Sequence, residues 1–175
     1  MKYKDAVKKS MEFLAQDSKI IFLGYNLKFG SKSYGTLADV SSEKILETPL
    51  AENLMAGLAI GMSLEGFLPL VFYERQDFLL NCLDAIVNHA DKIEKLSHGQ
   101  YKLPLIIRSI VGSNKPIDPG PTHTQDLSDA IKSMVNFPIY EPKTSKDVFE
   151  VYRNLIDIKN PVMVVERKSL YNLEI

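Results

Sequence analysis

The chain has 175 residues, 45% of them hydrophobic and 25% charged, which is typical of a single globular domain long enough to bury a core. Its formal net charge of −1 gives no electrostatic reason to expect nucleic-acid binding, and the lack of any uncharged apolar run of about 18 residues predicts no membrane span. A single cysteine, Cys82, excludes an internal disulfide and makes a reducing cytoplasm the expected compartment.

Helix-like and strand-like segments alternate along the chain. Apolar positions at helical spacing predict helices over residues 3–16, 50–65, 76–97, 126–134 and 145–158, the last with Ser145 as its N-cap. Short apolar runs predict buried strands over residues 19–24, 68–73, 103–108, 138–140 and 161–166, and the irregular stretch 25–48 has room for one more. Apolar strands separated by helices predict an α/β fold, with a mostly parallel sheet covered by helices on both faces, which makes three layers.

Glu52 is a carboxylate at the start of an otherwise apolar helix rich in small residues. A glutamate in a first helical turn can simply complement the helix dipole. The turns that follow, from Leu54 to Met62, are too apolar for a surface helix and indicate a buried one that another backbone can approach closely. A carboxylate leading such a helix is poorly solvated and ready to share a proton with a ligand, so Glu52 is either a structural N-terminal acid or a functional group.

His123 lies in a loop rich in Gly and Pro that follows the predicted strand 103–108 and precedes a helix. Ligands of parallel sheets bind beyond the carboxyl ends of the strands, and a histidine there can donate a hydrogen bond or move a proton near neutral pH. The plainer interpretation is a histidine that caps the following helix. Thr122 and Gln125 flank it as candidates for the same loop, and Asp126 is a candidate N-cap.

Phe78 follows another predicted strand at the same edge of the sheet. An aromatic ring in that place can stack on a flat heterocycle, although ordinary core packing would also explain it. No spacing of His, Cys, Asp and Glu resembles a zinc site, and the chain has no P-loop, no G-x-G-x-x-G and no G-x-S-x-G motif. We therefore expect no metal held by the residues of this chain.

Five segments, taken together and in this order, resemble a known family: PLAENLMAGLAIGMSLEG, LPLVFYERQDFLLNCLDAIVNHADKI, KLPLIIR, GPTHTQD and NPVMVVERKSLY. The chain is similar to the pyrimidine-binding domain of the thiamine-diphosphate-dependent transketolase superfamily. It most resembles the N-terminal domain of the beta subunit in the decarboxylating component of 2-oxo-acid (pyruvate or branched-chain) dehydrogenases. The resemblance implies the thiamine-diphosphate-binding fold over residues 1–167, with residues 168–175 as a linker or C-terminal tail.

The resemblance also implies roles for three residues. Glu52 matches the glutamate that hydrogen-bonds a ring nitrogen of the cofactor's aminopyrimidine and promotes removal of the thiazolium proton. Phe78 matches an aromatic residue that packs on the pyrimidine, and His123 matches a histidine near the substrate. The expected cofactor is thiamine diphosphate, and the expected substrate is a 2-keto acid or a ketose.

Two departures from the family bear on partners and substrate. The second domain usual in such beta subunits is not present in the sequence, and neither is the G-D-G…N-type motif that binds the diphosphate and its magnesium. The resemblance therefore implies a diphosphate-binding, alpha-type partner and a homo- or hetero-oligomer, formed by a natural split subunit or an N-terminal fragment. The stretch Phe72 to Arg75 also differs from the commoner pattern, which leaves the substrate class open. The dehydrogenase branch, the transketolase branch and a non-catalytic pairing or regulatory module are the alternatives.

Overall fold

The computed structural model describes residues 1–175. Its strands are β1 (Ile20–Gly24), β2 (Ile45–Glu47), β3 (Leu68–Tyr73), β4 (Ile106–Val111), β5 (Ile139–Tyr140) and β6 (Val162–Arg167). Its α-helices are α1 (Tyr3–Leu14), α2 (Glu52–Leu64), α3 (Ile93–Leu96), α4 (Ser128–Met134) and α5 (Ser145–Arg153). Short 3₁₀ helices span Ser42–Lys44, Gln76–Cys82 and Lys168–Leu170, and a π-helix spans Ala85–Ala90.

The six strands form one sheet in the order β2-β1-β3-β4-β6-β5, and every neighbouring pair is parallel. In the centre of the sheet, Ile107 of β4 pairs with Val71 of β3 on one side and with Met163 of β6 on the other. All carboxyl ends therefore lie along one edge. The α/β fold predicted from the alternation of segments is confirmed, with a sheet that is wholly parallel.

Successive side chains of the strands supply two separate cores, one on each face of the sheet. In β3, Leu70 and Phe72 belong to the core beneath α1 and α5, while Val71 and Tyr73 belong to the core beneath α2, the 76–90 segment and α4. Strands buried on both faces need apolar residues at every position, which explains their uninterrupted apolar runs.

The predicted helix 76–97 is wrong as a single α-helix. The structure divides it into the 3₁₀ helix Gln76–Cys82, the π-helix Ala85–Ala90 and the short α3. Most apolar positions still face the core, although Leu80 and Leu96 are exposed. Gln76 and Asp77 also turn inward and bond to residues 125–128, at the start of α4. The spacing of apolar residues gives no information about these polar contacts. The change from 3₁₀ to π to α-helix therefore could not be predicted from the sequence.

Two smaller shifts concern the ends of elements. The predicted strand 103–108 becomes β4 at Ile106–Val111, three residues further along the chain. Helix α5 is capped by Thr144 rather than Ser145. The Thr144 hydroxyl accepts from the Asp147 amide at 3.1 Å in a capping box, and the Ser145 hydroxyl instead donates to the Met1 carbonyl at 3.0 Å.

Residues 168–175, predicted as a linker or tail, are folded against the domain. The side chain of Tyr171 is buried, and the backbone pairs Tyr3 N–H with the Leu173 carbonyl at 2.9 Å. The Ser145 amide likewise donates to the Ile175 carbonyl at 2.9 Å. Tyr171 is therefore part of the packed body, and the exposed residues that follow it are attached by backbone hydrogen bonds.

The apolar sequence of α2 predicted a buried helix, but the structure leaves one face of this helix exposed. Met55, Ala56 and Ala59 pack on the sheet, whereas Leu54 is 54% exposed and Leu58 is 37% exposed. An apolar helix with one face on the core and another open leaves a surface suited to a partner. None of the helices combines the length and apolar character needed to cross a bilayer.

Candidate functional site

Glu52 is the first residue of α2 and stands at the carboxyl edge of the sheet, shortly after β2. Its side chain is half-buried, and Oε2 accepts a hydrogen bond from Asn81 Nδ2 at 3.3 Å. The Cys82 thiol lies nearby, where burial together with the Glu52 charge raises its pKa to about 12. Burial and the same charge also raise the pKa of Tyr25. Glu52 is thus a half-buried acid close to the Cys82 thiol and the Tyr25 hydroxyl.

Phe78 lies in the 3₁₀ helix that also carries Asn81, the partner of Glu52. Its ring is half-buried and meets the His123 imidazole edge-on, with ring centroids 5.3 Å apart and an interplanar angle of 86°. Glu52, Phe78 and His123 therefore lie close together. The 3₁₀ turn from Phe78 to Asn81 connects them, because Asn81 contacts Glu52 and Phe78 contacts His123.

The loop that carries His123 packs directly on the end of β4. A Cβ atom added at Gly112 would overlap the carbonyl oxygen of His123, so only glycine permits this approach. Within the loop the His123 amide donates to the Gly120 carbonyl at 3.2 Å. The Thr122 hydroxyl lies 3.1 Å from His123 Nδ1. Thr122 is otherwise exposed, and this contact leaves Nε2 as the ring nitrogen open to a ligand.

Asp77 and Gln76 attach this loop to the 3₁₀ helix. Asp77 Oδ1 accepts from the backbone amide of Gln125 at 3.2 Å and from its Nε2 at 2.9 Å. Gln76 Oε1 accepts from the Leu127 amide at 2.6 Å, and Gln76 Nε2 donates to the Ser128 hydroxyl at 3.2 Å. Both side chains are buried. The loop and the Phe78 segment consequently form one unit.

Buried polar atoms without a partner gather at the same edge. They are the side-chain oxygens Tyr25 Oη, Thr48 Oγ1, Asp77 Oδ2 and Ser109 Oγ. Tyr25 follows β1, Thr48 follows β2 and Asp77 follows β3, and these three strands are neighbours in the sheet. Because such orphaned groups are costly in a finished core, their concentration here fits a site completed by a ligand or a partner chain.

Arg75 and Glu74, which depart from the family pattern, also lie at this edge. Arg75 donates to the Tyr34 hydroxyl, and Glu74 Oε2 accepts from Asn26 Nδ2 at 2.9 Å. Lys168 lies over the Tyr34 ring, 3.5 Å from its centroid, where burial and repulsion by Arg75 and Lys4 lower its pKa to about 8. This side of the edge thus carries two cations, Arg75 and Lys168, beside the Glu74 carboxylate.

The sequence alone assigned no role to Asn81, Asp77, Gln76 or Gly112. A carboxylate directly before an aromatic residue was visible at Asp77, but its burial and its bond to Gln125, 48 positions away, were not. For the residues that had been identified, the structure gives their positions, while their chemical roles stay predictions. It contains no cluster of three or more His, Cys, Asp or Glu side chains placed to hold a metal ion.

Residues 1–174 match the family model described as transketolase, pyrimidine binding domain, and the chain belongs to that family. Its relatives include the beta subunit of the pyruvate dehydrogenase E1 component of Gracilaria tenuistipitata var. liui, 29% identical over 167 residues that cover 93% of this chain and 51% of the relative. The 2-oxoisovalerate dehydrogenase subunit beta of Bacillus subtilis (strain 168) is 26% identical over 178 residues, which cover 99% of this chain and 54% of the relative.

The fold also matches a solved structure described as a split gene transketolase, inactive beta4 tetramer. The two superpose with a TM-score of 0.73 at 20% sequence identity, over 95% of this chain and 51% of the other. The resemblance inferred from the five segments is thereby confirmed. The chain spans about half the length of the relatives it matches.

Proposed function

We propose that this chain is the pyrimidine-domain subunit or segment of a thiamine-diphosphate-dependent enzyme that acts on 2-keto substrates. In this proposal the active site forms between this chain and a diphosphate-binding partner. The observation that carries it is the convergence of Glu52, Phe78 and His123 on one edge of the sheet, in a chain that belongs to the pyrimidine-domain family.

The residues present fit the pyrimidine half of this cofactor. Thiamine diphosphate, when bound, supplies a carbon nucleophile and an electron sink for cleavage of the bond next to a keto group. Glu52 would share a proton with a ring nitrogen, since its carboxylate is half-buried at the open edge and is held by only one side-chain donor, Asn81. Phe78 would pack on the ring face, and the orphaned Tyr25 and Asp77 oxygens offer further contacts.

His123 would act on the substrate rather than on the cofactor. Thr122 contacts Nδ1, so Nε2 would donate a hydrogen bond to the carbonyl or carboxylate of a 2-keto substrate as negative charge develops there. The edge of Phe78 and the backbone at Gly112 fix the position of the imidazole. Thr122 and Gln125 serve by shaping this loop.

The partner would supply the diphosphate site and its magnesium, because the sequence has no G-D-G…N-type motif. The exposed face of α2 suits this contact. Leu54 and Leu58 present apolar surface there. No atom lies within 4 Å of the place that a Cβ would take at Gly57 or Gly61, which lets another backbone come close. The assembly would be a homo- or hetero-oligomer, and the single buried Cys82 supports a reducing, cytoplasmic setting.

Two branches of the superfamily remain open within this proposal. A lipoyl-carrying acceptor would mark a 2-oxo-acid dehydrogenase, and a sugar phosphate acceptor would mark a transketolase-like enzyme. The alternative from another class is a non-catalytic pairing or regulatory module. The assembled trio of Glu52, Phe78 and His123 favours catalysis over that alternative.

Glu52→Gln tests the proposal in the complex reconstituted with its partner. Loss of the shared proton should lower kcat by about 10² to 10⁴-fold, while the dissociation constant of thiamine diphosphate changes little. Glu65→Gln, at the exposed other end of α2, is the matched control and should leave both quantities as they are. Full turnover by the Glu52 variant would refute the assigned mechanism.

A further inference from the structure

We infer that Asp77 is a positioning residue for His123, and that it acts by holding Gln125. The inference deepens the proposed function, since it concerns the same site and rests on the role given there to His123. Its structural half, that Asp77 and Gln125 fix the place of the imidazole, can be measured in this chain without any turnover.

The contact between Asp77 and Gln125 is short and doubled. One carboxylate oxygen, Oδ1, receives both the backbone amide of Gln125 at 3.2 Å and its side-chain Nε2 at 2.9 Å. Gln125 lies two residues beyond His123, and Asp77 lies immediately before Phe78. The pair therefore joins the two segments at the point where the rings of Phe78 and His123 meet, 5.3 Å apart.

Other contacts of the loop leave this task to Asp77. The hydrogen bonds of His123 and Thr124 to the Gly120 carbonyl are internal to the loop. Arg167 binds Asp126 at 2.6 Å and Gln76 binds Leu127, but both act further along the chain. Gly112 allows the loop to approach the end of β4 closely, but it makes no bond between the loop and the Phe78 segment. Asp77 is thus the side chain that bonds the loop to the Phe78 segment nearest to His123.

The burial of Asp77 argues that this contact has a specific use. The residue is only 5% exposed, and its second oxygen has no partner within the chain. Burying a carboxylate costs free energy that an apolar residue would not cost. One oxygen at this position accepts both donors of Gln125, so the place of Oδ1 fixes the loop in the way that a catalytic group requires.

The test uses Gln125→Ala, Asp77→Ala, their double variant and Asp77→Asn, each in the full chain. Asparagine keeps an oxygen for Gln125 but loses the charge, so it separates positioning through Oδ1 from any need for the carboxylate itself. Asp129→Ala, an exposed carboxylate on α4, is the matched control. Because Gln125 is exposed, its variant keeps the fold intact even where Asp77→Ala does not.

The first readout is the NMR signal of the His123 ring in the chain alone, where the nearby Phe78 ring shifts it. Gln125→Ala and Asp77→Ala should both move this signal towards the value of a histidine with no aromatic neighbour, while Asp77→Asn and Asp129→Ala should not. An unmoved His123 signal in Gln125→Ala would overturn the inference whether or not the chain belongs to an active enzyme.

The second readout is turnover of pyruvate or 2-oxoisovalerate by the complex with its partner. Gln125→Ala should lower kcat/KM by about 10- to 100-fold, as displacement of a catalytic group by about 1 Å does, with the thiamine diphosphate affinity unchanged. The double variant should lose no more than Asp77→Ala alone, since both remove one contact. Additive losses, or an Asp77→Asn loss equal to that of Asp77→Ala, would overturn the inference.

Discussion

Gly112 shows how a single residue decides whether the site can form. It directly follows β4, and the chain returns over it so closely that the carbonyl of His123 occupies the space of a side chain. The histidine is held by backbone contact here as well as by its own side-chain neighbours. A glycine at the end of a central strand is ordinary in a sequence, so this dependence emerges only in the fold.

Gly112→Ala should lower the free energy of unfolding by about 1–3 kcal/mol, because the added methyl group forces the loop off the strand. Urea denaturation of the chain measures it. Gly61→Ala is the matched control: no atom lies within 4 Å of its Cβ position, and the change should stabilise α2 by about 0.5–1 kcal/mol. Equal stability of the Gly112 variant and the wild-type chain would contradict the packing described.

Residue types and order were enough to select Glu52, Phe78 and His123 from the sequence, although each has an ordinary explanation on its own. What the sequence could not supply was the set of partners that holds them. Asn81 reaches Glu52 across 29 positions, and Asp77 reaches Gln125 across 48. Such contacts depend on how α2, the 3₁₀ helix and the loop pack together, which no local pattern encodes.

Strands β4 and β6 are joined across the core by a buried ion pair as well as by their ladder. Arg108 Nε lies 2.8 Å from Glu166 Oε1 and Nη2 lies 2.9 Å from Oε2, with both side chains fully buried. The hydroxyls of Tyr152 and Tyr171 also donate to the carboxylate. Burial alone would raise the pKa of Glu166, but Arg108 and these hydroxyls hold it below its usual range.

Glu166→Gln should destabilise the chain by about 3–5 kcal/mol, because Arg108 would remain charged and unpaired in the core. Glu150→Gln, which removes the exposed partner of Lys146, is the matched control and should change the free energy of unfolding little. A variant of Glu166 as stable as the control would show that the pair contributes nothing.

The same pair predicts a response to acid. A carboxyl with a lowered pKa in the fold stabilises it fully above the unfolded pKa, about 4.3 for glutamate, and loses that contribution as the pH falls through the folded value. The wild-type free energy of unfolding should therefore fall below about pH 4, with a smaller slope in Glu166→Gln. The same pH dependence of the free energy of unfolding in both proteins would contradict a lowered pKa of Glu166 in the fold.

At the scale of elements, the periodicity of apolar residues predicted the strands and the alternation well, because strands buried on both faces leave an uninterrupted apolar run. It failed for residues 76–97, which form a 3₁₀ helix, a π-helix and a short α-helix, and where the buried Gln76 and Asp77 bond the neighbouring loop. It also indicated a buried α2, because the open face of that helix is apolar. That error is informative, since an apolar face left open on a folded domain is suited to another chain.

At the scale of the whole molecule, the structure fits the proposal that this chain supplies one half of an active site. Its acid, aromatic and imidazole side chains meet at an open edge of the sheet where several buried oxygens lack partners, next to an apolar helix face. The relatives it matches are about twice its length. Binding of a cofactor has a substantial entropic cost, and the contacts offered by one half of a site are too few to offset it. The chain alone should therefore bind thiamine diphosphate weakly.

Calorimetric titration of thiamine diphosphate with magnesium tests this central claim most directly. It is performed on the chain, on a diphosphate-binding partner and on their mixture. We predict tight binding in the mixture alone, weakened strongly by Phe78→Ala and unaffected by Phe67→Ala, a 42% exposed phenylalanine outside the site. Binding in the mixture no tighter than to the partner by itself, and indifferent to Phe78→Ala, would contradict the account.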